Sequence, residues 1–87
     1  MKIKDGFILR EVAGNFVVVA VGSAVKDFRA IITLNETGAF LWKTLTKGAT
    51  EEELLTALLS EYEVPEQVAK SDIKAFINKL QNANLLK

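Results

Sequence analysis

Neither cysteine nor histidine occurs among the 87 residues, and proline occurs once. Without cysteine, no disulfide or thiolate metal site can hold the chain together, so its stability must come from packing. Without histidine the usual general base at neutral pH is missing, and the two absences together remove the common nucleophile and most transition-metal sites. The composition points away from catalysis and from a bound cofactor. A dominant charge is lacking too: eleven basic and eleven acidic residues cancel, which leaves no global field to gather nucleic acid or an anionic membrane. The longest apolar run, Phe16 to Val21, is far too short to span a bilayer. The start, Met1-Lys2-Ile3-Lys4-Asp5-Gly6, has no long apolar stretch of the signal-peptide kind. These features lead us to expect a cytoplasmic protein.

What is present is an ordinary globular balance, 49% hydrophobic and 25% charged, in a length that suits one domain spanning 1–87 with one core. Two apolar, β-branched runs, Phe7 to Val12 and Phe16 to Val21, flank Ala13-Gly14-Asn15 and predict an antiparallel hairpin. Phe28 to Leu34 predicts a third strand completing a meander. Asn35 then offers an N-cap and Gly48 a stop, which bound a first helix over about Asn35 to Thr46. Thr50-Glu51-Glu52-Glu53 is a capping box, and Leu54, Leu55, Leu58, Leu59 and Tyr62 repeat behind it at helical spacing. Pro65, with its fixed φ and missing N–H, suits the start of a third helix running to about Ala83, whose stripe is Ala69, Ile73, Phe76, Ile77 and Leu80. Leu41, Trp42, Leu45, Leu55, Leu58, Phe76 and Leu80 are the predicted core, with Leu85-Leu86 placed to cover one end of it. Strands followed by helices, without alternation, make an α+β architecture.

Most polar clusters have a structural role close at hand. The three glutamates fit a helix N-terminus, which attracts acidic side chains through its dipole and capping. Asn35-Glu36-Thr37-Gly38 reads as a cap, and the glycines form no phosphate-cradling loop. Trp42 falls on a buried stripe rather than on a partner surface. Two features exceed these roles. Strand two is apolar on both faces, with Phe16, Val18 and Ala20 on one and Val17, Val19 and Val21 on the other. This fits either a second copy packed outside, giving a homodimer, or simple β-propensity. Strand three, at the edge of a meander, leaves a row of unpaired backbone groups, which either accepts an added strand or is protected by Arg29 and a nearby helix.

The segment Leu34-Asn35-Glu36-Thr37-Gly38-Ala39-Phe40-Leu41-Trp42, followed by Thr50-Glu51-Glu52-Glu53-Leu54, Glu61-Tyr62, Asp72 through Phe76 to Leu80, and Leu85-Leu86, resembles the PqqD family over nearly the whole chain. The resemblance implies a winged-helix-like domain, a three-stranded antiparallel sheet followed by three helices. It implies a non-catalytic adaptor that binds the leader segment of a ribosomally made precursor peptide and presents it to a modifying enzyme, often a radical-SAM protein. In that family the leader adds to the third strand and packs against the third helix. The matching positions here are Phe28, Arg29, Ala30, Ile31, Ile32 and Thr33, with Ile73, Lys74, Ile77 and Gln81 on the helix. The competing class is a winged-helix DNA-binding regulator. Against it, the second helix opens with three glutamates and carries no basic residue, although Lys70, Lys74 and Lys79 lie on the third.

Overall fold

The structure, a computed structural model, describes residues 1–26 and 32–87. Strands β1 (Phe7–Val12) and β2 (Asn15–Ala20) form the hairpin, and a short 3-10 segment, Gly22–Lys26, follows. Strand β3 spans Ile32–Leu34, and the earlier part of the expected third strand, Phe28 to Ile31, lies outside the described residues. The hairpin turn is tighter than the sequence suggests. Ala13 and Gly14 both take positive φ, 52° and 82°, so two residues close the turn and Asn15 joins β2. Positive φ at both central positions marks a type I′ turn, whose twist matches that of the paired strands. The sheet is antiparallel throughout, in the order β1-β2-β3.

Helices α1 (Glu36–Leu45), α2 (Glu51–Glu61) and α3 (Glu66–Asn82) follow, α1 and α3 within a residue of their predicted bounds and α2 starting at its capping box but ending three residues short of the residue before Pro65. Asn35 caps α1 by accepting from the Gly38 N–H at 2.7 Å. Before α2 the capping box is complete: Glu53 N–H donates to Thr50 Oγ1 and Thr50 N–H donates to the Glu53 carboxylate. Helix α3 ends in a reversal that the sequence reading did not identify. Asn84 takes φ of 59°, its N–H donates to the Gln81 carbonyl, and the Leu85 N–H reaches back to the Leu80 carbonyl at 2.9 Å. This is a Schellman arrangement with asparagine standing in for glycine. It turns Leu85 into the core, where it is fully buried.

The core gathers Trp42 and Leu45 of α1, Leu54 and Leu58 of α2, and Ile73 and Leu80 of α3 against Val18 and Leu34 of the sheet. Of the predicted core, only Leu55 stays partly exposed, because Leu54 takes the inward position one residue earlier. The N-terminal segment completes the packing. Ile3 pairs with Leu86 in an antiparallel bridge, and the Met1 ammonium donates to the Ala49 carbonyl at 2.8 Å.

Candidate functional site

The hydrogen-bonding parity of the sheet follows from the turn. In a two-residue hairpin the flanking pair, Val12 and Asn15, is a hydrogen-bonded pair, and bonded and non-bonded pairs then alternate along the ladder. Val17 and Val19 therefore point their backbone groups at β1, and Phe16 and Val18 point theirs at β3. Phe16 pairs with Leu34 and Val18 with Ile32, so these two positions carry the ladder to β3. Thr33, opposite Val17, is left with its N–H and C=O facing away from the sheet. A side-chain contact agrees with this parity: Lys79 Nζ of α3 donates to the Thr33 carbonyl at 3.2 Å. No strand pairs with this edge among the described residues.

Side chains alternate in the other sense. Ile32 and Leu34 turn inward with Val18 and Phe16, and Thr33 lies on the outer face in one row with Val17 and Arg10. The outer face is the apolar surface expected from strand two. Ile8, Val12 and Val21 are exposed on it, while Val17 and Val19 are half-buried.

Beside the free edge runs a groove whose other wall is α3. Its first part is lined by Ile32, Thr33, Ala75, Asn78, Lys79, Asn82 and Ala83. It continues into a hollow of about 270 Å³ floored by Leu34, Leu41 and Phe76 and rimmed by Asn35, Thr37, Asp72 and Lys79. That volume is below the usual range of small-molecule sites and suits a single side chain. The loop into α1 shapes the end of this hollow. A Cβ on Gly38 would stand 3.2 Å from Asn35 Oδ1 and 3.3 Å from Leu34 Cβ, so glycine lets the helix start close against the strand.

The structure distributes the sequence-predicted residues over three places. Ile32 and Thr33 sit at the edge and line the groove. Ile73 and Ile77 are buried, at 1% and 6% exposure, in the core between the helices. Lys74 and Gln81 are exposed on a different flank, where both line a hollow with Glu51 from the start of α2. Phe28, Arg29, Ala30 and Ile31 lie outside the described residues. The α3 residues that do face β3 are Ala75, Asn78, Lys79 and Asn82, none of them among the peptide-binding positions expected from the sequence. Their spacing of 75, 78, 79 and 82 is itself a helical stripe, legible as the polar face next to the apolar one.

Chemically the groove offers backbone bonding and shape. Among the described residues no polar or charged side chain is buried, no three acidic side chains gather as a metal site, and no helix is long and apolar enough to cross a membrane. Two groups elsewhere have displaced proton affinities. The Thr50 hydrogen bonds hold the Glu53 carboxyl below its ordinary value. Loss of water, with lesser repulsion from Glu36 and Glu61, raises the Tyr62 phenol.

No curated protein matches the chain. Two solved structures share its fold. The protein TbiB1, determined in complex with the TbiA(beta) leader peptide, is 25% identical with a TM-score of 0.75, over 100% of this chain and 95% of its own. A lasso peptide synthetase B1, complexed with its leader peptide, is 22% identical with a TM-score of 0.72, over 99% of this chain and 95% of its own. Residues 15–86 match the family model of coenzyme PQQ synthesis protein D (PqqD), and the chain belongs to that family.

Proposed function

We propose that this chain, acting as one domain, binds the leader segment of a ribosomally made precursor peptide without catalysing a reaction on it. The observation that carries the reading is the outward-facing Thr33 backbone at a strand edge with no partner strand among the described residues, with a groove alongside it. An extended peptide added there gains backbone hydrogen bonds along β3 and places alternate side chains in the groove. Both structural relatives are complexes with leader peptides, which supports the same class of ligand.

Within this proposal Ile32 and Thr33 contact the peptide directly, and Phe28 to Ile31 extend that contact along the chain. The contribution of α3 comes from Ala75, Asn78, Lys79 and Asn82, and Ile73 and Ile77 act from behind by fixing the helix in place. Two finer partners belong to the same proposal. One is a peptide-modifying enzyme, of radical-SAM or other chemistry, to which the domain presents its peptide. The other is a second copy of the chain, seated on the outer sheet face at Ile8, Val12 and Val21.

A chemical-shift titration of the labelled chain with its cognate leader peptide tests the reading. Perturbations centred on Ile32, Thr33, Ala75, Lys79 and Asn82 are expected. A footprint confined to α1 and α2 would overturn it.

A further inference from the structure

The edge of β3 is not bare. Its outward Thr33 carbonyl is the acceptor that the N–H of an added strand would need, and the Lys79 ammonium already donates to it. Lys79 lines both parts of the groove, so a peptide lying along β3 passes over this ammonium.

The position of Lys79 on α3 leaves it no carboxylate of its own. Side chains three and four residues apart are neighbours on a helix. For Lys79 these are Ala75, Phe76, Asn82 and Ala83, none of them acidic. Lys70 on the same helix differs, since Glu66 four residues earlier stands 3.6 Å from its ammonium. Asp72, the only carboxylate lining the groove among the described residues, is seven residues from Lys79, about 10 Å along the helix axis at the usual rise. In the free chain the Lys79 ammonium thus bonds a neutral carbonyl and forms no ion pair among the described residues. A carboxylate brought by the peptide supplies one, through a charge-assisted hydrogen bond stronger than the bond to a neutral carbonyl.

We propose that Lys79 sets the specificity of the β3 edge: it covers the Thr33 carbonyl in the free chain and transfers to an aspartate or glutamate side chain of the peptide that adds there. This rests on strand addition at β3 and narrows its ligand to extended peptides bearing an acidic residue at one fixed position. The free chain thereby keeps its edge occupied against indiscriminate strand pairing.

A displayed library of random twelve-residue peptides, panned separately on the native chain and on Lys79→Glu and Lys79→Met, tests this. Each selected peptide is then measured against Thr33→Pro by fluorescence anisotropy. The native chain should select Asp or Glu at one position within an alternating apolar pattern. Lys79→Glu should replace that residue with Lys or Arg, and Lys79→Met should keep the apolar pattern and lose the charge preference. Changing the selected acid to its amide in the peptide should weaken binding to the native chain about tenfold, a reading that leaves the protein untouched. Peptides that need Thr33 but show no acidic preference, or whose preference survives in Lys79→Met, overturn the role of Lys79 and leave the edge site standing. Peptides indifferent to Thr33→Pro, or a library yielding no binder, overturn both.

Discussion

The two flanks of α3 do different work with adjacent residues. One carries Ala69, Ile73, Ile77 and Leu80, buried against the other helices, and the other carries Ala75, Asn78, Lys79 and Asn82, exposed beside β3. A helix pinned along one side by close packing presents its other side at a fixed distance from the strand, which is what a groove for an extended chain needs. Stability and recognition thus sit on opposite sides of the helix, about half a turn apart. Substitutions on the two flanks should separate in the same way.

The largest effects belong to the packed side. Trp42, 2% exposed, should cost about 3–5 kcal/mol on truncation to alanine, and Ile73→Ala about 2–5 kcal/mol, both read from urea unfolding. A loss below about 1 kcal/mol at Trp42, the range of surface sites, would show that the core is not assembled as described.

Proline substitutions along β3 draw the contrast within three residues. Leu34 carries a bonded position of the ladder as well as a buried side chain, so Leu34→Pro should unfold or severely destabilise the domain. Thr33→Pro removes an N–H that faces outward, so the melting temperature should change little while affinity for the precursor peptide falls at least about tenfold. Equal damage to folding from both would mean that the hydrogen-bond parity of the edge is misassigned.

At the capping box the effect is smaller. Thr50→Ala should cost about 1 kcal/mol, the usual worth of an N-cap. The pH dependence has a definite sign there. Because the folded-state proton affinity of Glu53 is lowered, its stabilisation is present above the ordinary glutamate range and is lost as the pH falls through its folded value. Unfolding curves between about pH 5 and pH 3 should therefore converge for the native chain and Glu53→Gln, because the Thr50 N–H donates at full strength to the Glu53 carboxylate only while that group is charged. The smallest expected effect is on nucleic acid. With zero net charge and three exposed glutamates at the start of α2, titration with labelled duplex DNA near physiological salt should show no binding.

Much of this organisation is legible in the sequence where the physics is local. Asn35, Thr50 with Glu53, and Pro65 each mark a helix start by chemistry within one turn, and each helix begins there. The turn at Ala13-Gly14 is less legible because alanine rarely takes positive φ, so the sequence pattern leaves Asn15 in the connection rather than in the strand. The groove flank of α3 was hidden for a different reason. Apolar residues such as Ile73 and Ile77 look like contacts for an apolar peptide, but a stripe that strong is claimed first by the core.

The sequence by itself determined the order and type of the elements, their caps, most of the buried set and the likeness to the PqqD family, because those depend on neighbours a few residues away or on a pattern repeated along the chain. Only the tertiary structure decided which face of α3 meets β3, which backbone groups of β3 face outward, and that Lys79 rests on the Thr33 carbonyl forty-six residues away. Those facts depend on the register of one ladder and the rotation of one helix. Both are set by the joint packing of side chains distant in sequence, and no local preference encodes them.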